Sequence, residues 1–548
     1  MDKMCNVAVI DDGICENSFN MGLLKHNIEI TPDLEIRERV GYNTCEISHG
    51  SICAQIIRKY APDAVLSSIK ILNDSSKCSK EQLIKALIWC ADNDIKIVNL
   101  SLGTIDYKDF PSISHAVNQV YKKGLIIVAA ANNRDVFTYP ASHTNVIGVK
   151  ACKLQSMEDK QYIYNRCSLD GIEITACGTY LYKDGEKEKT VSGSSFAAPI
   201  ITALTYNILR KYPAAGLEEV KEMLRKSALN YREEHCSTFY RSIDWVDQAV
   251  LFCPKVHKKR DFYPLFHFKI EGPVYMEFNN AGKWCHSVLT YLRRQHFKLK
   301  NTDTVILDLV GSRVNLPASE LSVLIEEIAK LGKNILCLEE EQTMGTVKIM
   351  KEFHGLKLWH PSLYRWNLME NAACIREQPQ YNAPLIALYD LTGERFISYV
   401  RKLVNLSKGN GYNALGTTDS CEGMLYGLEY TPIITDTSGK NEVLPFKMLG
   451  NIYSPDFFIF GTDLSKHNMS LHNNIRSKVN PDVEIIITET FNSCVRRILQ
   501  DDDSRKIVIF TQDIGIITEK YKHVIFLFAH RDNCYHLLYK HIKGEVNI

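Results

Sequence analysis

The 548-residue chain contains no apolar stretch near the roughly 20 residues a membrane helix needs; its longest clean run is Leu125 to Ala131. It carries no charge excess either, with Lys+Arg 65 against Asp+Glu 64 and a net charge of +1. That balance excludes a global electrostatic pull toward nucleic acid or an anionic membrane, so neither is expected as a partner. The 17 cysteines form no CxxC pair and no dense framework, which reads as reduced thiols in a cytosol rather than disulfide staples. The opening Met-Asp-Lys-Met-Cys lacks a basic n-region and an apolar h-region. A secretory signal is therefore not expected, and the location is read as cytoplasmic. Internal repeats and low-complexity segments are absent.

What is present is an ordinary soluble composition, 45% hydrophobic and 24% charged, in a chain long enough for about three to five domains. The first 250 residues alternate strand-like and helix-like segments. Asn6 to Ile10, Ala64 to Ile71, Ile95 to Leu100 and Leu125 to Ala131 read as strands, the last two continuously apolar as buried parallel strands are. Lys80 to Asn93 has helical spacing, and Phe196 to Leu209 is apolar nearly all round, as a helix inside a core should be. The pattern implies an α/β fold with a mostly parallel sheet covered by helices on both faces. The basic run Lys255 to Arg260 marks a composition shift read as a solvated linker. Beyond it, Thr304 to Val310, a helix over Ala318 to Leu331, and Asn334 to Glu339 make a β–α–β unit. Pro384 to Tyr389 opens another, continued by strands at Phe457 to Gly461, Glu484 to Thr488, Lys506 to Phe510 and His523 to Ala529. The expected division is a first domain over 1–252, a linker over 253–262, an α/β module over 263–380 and a C-terminal α/β, Rossmann-like module over 381–548.

Reactive groups in open α/β sheets sit at the carboxyl ends of strands and the amino ends of helices. Four such places hold a matched set. Strand VAVI ends in Asp11-Asp12-Gly13; Ser48-His49-Gly50-Ser51 opens a helix; LIIVAAA ends in Asn132-Asn133; and Gly193-Ser194-Ser195 opens the buried helix. A serine hydroxyl needs a base to take its proton, histidine suits that at neutral pH, and a buried carboxylate fixes the imidazole tautomer. Ser195 at a helix start offers its N–H to a developing oxyanion, and the Asn133 amide can supply a second donor. Pro199 is expected in the first helical turn, where its missing N–H is harmless. Asp12 reads as a turn residue.

These segments resemble the subtilase family of serine peptidases. VAVIDDGI stands in place of the family's Asp motif, SHGSICA of its His motif, GSSFAAP of its Ser motif and AAANN of its oxyanion motif. The Asp…His…Ser order agrees. The resemblance covers about residues 5–250. It implies Asp11, His49 and Ser195 as the triad and Asn133 as oxyanion donor. It further implies substrate-binding edges at Ser101, Leu102 and Gly103 and at Ala130, Ala131 and Asn132. Asn132 replaces a usual glycine, so its side chain is expected to line the pocket wall. Cys53, one helical turn after His49, stands where some members carry a cysteine sensitive to mercurials.

No metal ligand set is assigned. His530, Cys534, His536 and His541 read as ordinary packing, and no clear acidic calcium loop is visible although the family often has one. No cofactor is expected, with calcium left open. The loop Tyr389 to Phe396 follows a strand and precedes a helix but lacks a Gly-rich stretch and a Lys-Ser/Thr pair, so nucleotide binding is a minor alternative. The expected partner is a peptide or protein substrate. Short stretches of the C-terminal half (PLIALYDLTGERF, SPDFFIFG) loosely resemble proteins of bacterial peptide-maturation systems. That points to a leader-removing endopeptidase for a ribosomally made modified peptide, its precursor held by the C-terminal half. A general degradative peptidase and a catalytically silent scaffold are the alternatives, and the oligomeric state is left open.

Overall fold

The computed structural model describes residues 5–545 apart from 17–22, 40–46, 135, 153–156, 166–167, 185, 233–239, 256–267, 278–279, 296–297, 311–315, 340–355, 378–381, 394–395, 433–443, 466–471, 474, 478–479, 501–504, 512–523 and 530–533. The first sheet is built from β1 (Asn6–Asp11), β2 (Asn27–Ile30), β3 (Ile36–Glu38), β4 (Val65–Lys70), β5 (Ile97–Leu100), β6 (Ile126–Ala130), β7 (Ile147–Ala151), β8 (Tyr162–Tyr164) and β9 (Ile174–Ala176). They lie in the order β3-β2-β4-β1-β5-β6-β7-β9-β8, parallel except for the two edge pairs β2–β3 and β8–β9. β1, β5 and β6 are buried throughout, which is why their sequences read as unbroken apolar runs.

Strand periodicity divides that core in two. Val7, Val9, Ile97, Ile126 and Val128 face α1 (His49–Tyr60), α4 (Ser194–Lys211) and α5 (Leu217–Lys226). Ala8, Ile10, Val98, Leu100, Ile127 and Ala129 face α2 (Lys80–Asp92) and α3 (Phe110–Lys122). Side chains two apart share a face, so one parallel strand serves both layers. A hairpin of β10 (Thr179–Asp184) and β11 (Lys187–Ser192) leads into α4.

The second sheet contains β12 (Gln248–Pro254), β13 (Lys269–Met276), β14 (Thr304–Asp308), β15 (Asn334–Leu338) and β16 (Leu358–Trp359), in the order β13-β12-β14-β15-β16. Here the expected boundary moves. Residues 248–254 were placed in the first domain and the linker, yet they form a buried strand paired in parallel with both β13 and β14. The apolar run AVLFC is an interior strand of the second sheet, and the basic run begins only after that strand ends. Residues 256–262 of the expected linker lie outside the described residues.

The third sheet comprises β17 (Leu385–Asp390), β18 (Ala414–Thr418), β19 (Glu429–Tyr430), β20 (Phe457–Asp463), β21 (Val483–Thr488), β22 (Arg505–Phe510) and β23 (Val524–Phe528). All its pairings are parallel, in the order β19-β18-β20-β17-β21-β22-β23. The three units are not beads on a string. One continuous apolar cluster joins Phe110 and Tyr139 of the first to Leu251, Leu336 and Trp359 of the second and to Leu425, Tyr430 and Ile452 of the third. Among the described residues, no helix is long and apolar enough to cross a membrane.

Candidate active site

β1 ends at Asp11, wholly buried, and α1 begins at His49. The helix can approach this closely because residue 50 is glycine: a Cβ there would lie 2.7 Å from the Gly13 carbonyl oxygen and 3.2 Å from Asp11 Cβ. His49 Nδ1 lies 2.9 and 3.0 Å from the two Asp11 carboxylate oxygens. Donation of Nδ1–H to Asp11 leaves Nε2 as the basic nitrogen, and the ring is about one-third exposed. Burial opposes a charge on the imidazole, but the Asp11 hydrogen bond, aided by Cys53, outweighs it and holds His49 above its ordinary value. Burial likewise pushes the Asp11 carboxyl up, and His49 pulls it back.

Asp12 has a role that the sequence reading missed. Its carboxylate accepts the His49 N–H at 3.0 Å and the Gly50 N–H at 2.8 Å, while Ser48 accepts the Ser51 N–H. Helix starts leave such donors without intrahelical partners, so Asp12 caps α1 and fixes the backbone that carries His49. An acidic residue after a strand, three residues before no helix of its own, offers no local sign of this.

Ser195 lies in the first turn of α4, after Gly193 with φ +147°, a backbone conformation that suits glycine. Pro199 is not in the first turn, as expected, but one turn deeper. Its position has a consequence for the site. Lacking an N–H, Pro199 cannot pair with the carbonyl four residues earlier, which is that of Ser195. That carbonyl accepts instead from Ser101 Oγ at 2.9 Å and from the Cys53 thiol at 3.5 Å. Cys53 also approaches His49 Nδ1 at 3.9 Å, and the His49 ring lies 5.1 Å from that of Phe196. The Ser195 hydroxyl is half-buried and donates to the Ser101 carbonyl at 3.3 Å; among the described residues it is not bonded to His49. The histidine and serine are neighbours through Cys53, with the hydroxyl turned toward the other wall.

Asn133, exposed, lies three residues past the end of β6. Its carboxamide oxygen accepts from the Ser194 N–H at 3.0 Å and the Ser194 hydroxyl at 2.9 Å, which points the Nδ2 donor the other way. Ser101, Leu102 and Gly103 follow β5, and Ala130 ends β6, the adjacent parallel strand, with Ala131 and Asn132 after it, so the two segments leave the sheet side by side. The Asn132 side-chain oxygen accepts the Arg134 N–H at 2.9 Å and anchors the turn that follows.

Two groups of described residues bring metal-ligating atoms within 4.8 Å: Asp11, His49 and Cys53, and Cys337, Glu339 and His360. The first is the site just described. In the second, His360 Nδ1 accepts the Ser362 N–H at 3.1 Å, so Nε2 carries the proton and donates to Glu339. A metal-bound imidazole donates from its second nitrogen, so this pair fits a buried hydrogen bond. Cys534, His536 and His541 do not gather into such a group, and His530 lies outside the described residues. At the β17 loop, Asp390 itself accepts the Thr392 and Phe396 N–H groups at 2.8 and 3.0 Å, filling the helix start where a phosphate would sit.

Residues 2–242 match the family model described as the subtilase family. Subtilisin DY of Bacillus licheniformis is 25% identical over 245 residues, covering 41% of this chain and 83% of the relative. A subtilisin of Bacillus sp. (strain TA39) is 28% identical over 273 residues, covering 43% of this chain but 63% of the relative. Among solved structures, a cold-adapted subtilisin-like serine proteinase gives a TM-score of 0.33 at 20% identity, covering 42% of this chain and 84% of its own. A lanthipeptide protease gives 0.35 at 19%, covering 43% and 84%.

Proposed function

We propose that this chain, whose residues 2–242 match the model of the subtilase family of serine peptidases, is a dedicated processing endopeptidase. In this reading His49 accepts the Ser195 proton as the hydroxyl swings from the Ser101 carbonyl and attacks the scissile carbonyl. Asp11 orients the imidazole, and the Asn133 Nδ2 and Ser195 N–H groups bind the oxyanion. His49 then protonates the leaving amine, and water releases the acyl-enzyme. Support comes from the paired Asp11–His49 contacts and from the engagement of Asn133 Oδ1 by Ser194, which leaves Nδ2 as the donor.

One observation carries the dedicated reading: two further parallel sheets share a hydrophobic core with the peptidase unit. A degradative enzyme needs little beyond a cleft, whereas fixed additional units offer surface to hold one substrate. The proposed substrate is a precursor peptide of ribosomal origin, its leader bound by the second and third units. None of the described cysteines is in a disulfide, which agrees with a reducing compartment. The test is to incubate the full chain with casein and with a complex peptide mixture, sequencing the products. A processor leaves casein largely intact and cuts a narrow set of peptides; broad cleavage of both contradicts the reading and favours a general peptidase.

A further inference from the structure

Just beyond Gly103 and Asn132 the chain leaving β5 is tied to the chain leaving β6. Thr104 N–H donates to the Tyr139 carbonyl at 2.9 Å, and Tyr139 N–H returns to Thr104 at 2.8 Å. Asn132 N–H donates to Thr138 Oγ1 at 2.9 Å. Gly103 is so close to this floor that a Cβ would lie 2.6 Å from the Tyr139 carbonyl oxygen and 2.9 Å from Thr138 Cγ2. Thr138 and Tyr139 therefore close the gap between Gly103 and Asn132, the space a substrate side chain would enter beside Ser195.

Behind that floor stands the third unit, not solvent. Phe137 N–H donates to the Ile452 carbonyl at 2.9 Å, and the Phe137 ring lies 5.2 Å from Tyr453 and 4.7 Å from Tyr139. Tyr453 also meets Tyr107 edge-on at 5.6 Å. Arg241, buried, lies 4.7 Å over the Phe137 ring and donates to Glu429 at 3.2 Å and to the Tyr453 hydroxyl at 3.0 Å. The Tyr453 hydroxyl in turn donates to Glu429. A small cavity of about 40 Å³ lies among Tyr107, Phe110, Tyr139, Arg241, Glu429 and Tyr453. The floor is thus backed by a charged, hydrogen-bonded cluster around a void, rather than by close hydrocarbon packing throughout.

We propose that the third unit is the rear wall of the primary specificity pocket, with Arg241, Glu429 and Tyr453 as positioning residues that hold Thr138 and Tyr139 against Gly103. The pocket then takes a small side chain on the residue before the scissile bond. The inference rests on the reading of Ser195 as nucleophile but adds a claim about selectivity, which is read separately.

The test uses the full chain and its Tyr453→Ala, Tyr453→Phe and Glu429→Gln variants. Two measurements are made: kcat/KM for peptide pairs differing only in Ala or Phe before the scissile bond, and the labelling rate of Ser195 by a small fluorophosphonate. Tyr453→Ala is expected to raise the Phe-to-Ala ratio about 10-fold or more, a change typical of remodelling an apolar pocket. The milder variants should move it less in the same direction, with labelling preserved. An unchanged ratio, a parallel loss on both peptides, or loss of labelling in all three variants overturns the proposal, since a folding element alone shifts no preference. If Tyr453→Ala does not fold, the other two variants decide. A wild-type chain that resists labelling sinks the nucleophile reading instead, and the pocket claim with it.

Discussion

A mercurial that reaches Cys53 should stop turnover, and the surroundings of the thiol set how far. Its side chain is fully buried between α1 and α4, with Sγ 3.5 Å from both Ser101 Oγ and the Ser195 carbonyl oxygen and 3.9 Å from His49 Nδ1. A mercury atom added there has no space, and overpacking an interior costs about 1–3 kcal/mol. Moving the one-third-exposed imidazole relieves the strain more readily than moving either helix, but it breaks the contact with Asp11. Loss of that orientation costs about 10⁴ in kcat where the carboxylate partner of a serine-protease histidine is neutralised, so residual activity should fall below about 1%. Burial pushes the Cys53 thiol up, so its thiolate is scarce and modification should be slow at neutral pH and faster as pH rises. Cys53→Ala removes only a weak thiol donor and leaves a small void. About 1 kcal/mol is at stake, and turnover should stay within about 5-fold of wild type. The assay follows inactivation of wild type and Cys53→Ala in parallel, with the modified residue located by peptide mass. Wild-type enzyme that turns over with Cys53 labelled refutes the argument, as does equal inactivation of the alanine variant.

Further outcomes follow from the same geometry. Asn133→Ala should lower kcat by about 10²–10³, the range for removal of one oxyanion donor; an unchanged kcat contradicts its role. Burial lowers the proton affinity of His49 but Asp11 and Cys53 outweigh it, so neutral His49 accumulates only as pH rises. The acid limb of kcat/KM should therefore inflect above 6.5, and an inflection at or below that value contradicts the pairing. Asp12→Ala should cost about 0.5–2 kcal/mol through the lost cap on α1, measured as a fall in Tm; no change in Tm removes Asp12 from the account.

The parts of the site legible in sequence were those at strand ends. β1 and β6 are unbroken apolar runs because both faces are covered, and such runs announce where they stop, at Asp11 and just before Asn132 and Asn133. The family resemblance then supplied the roles. What the residue string could not display depends on approach in three dimensions. Asp12 caps a helix that starts 37 residues later, the Ser195 carbonyl is served by Ser101 and Cys53 from other elements, and Asn132 folds into its own turn. Strands β2 and β3 are only four and three residues long, and β3 is exposed throughout, so they carry too little pattern to read. The basic run after Pro254 suggested a boundary, but β12 before it already belongs to the second sheet. The joint core of the three units was equally hidden, because apolar faces do not name their partners. It also means that removing residues 260–548 would expose buried surface such as Phe110 and Tyr139. Point variants are therefore the cleaner probe of the extra units.

The central claim is that Asp11, His49 and Ser195 work as one nucleophilic unit. It is tested most directly by treating the full chain with a fluorophosphonate and mapping the adduct. A single stoichiometric adduct on Ser195, suppressed in His49→Ala and strongly slowed in Asp11→Asn, is the predicted result. An unmodified Ser195, or labelling that proceeds equally fast without His49, contradicts it.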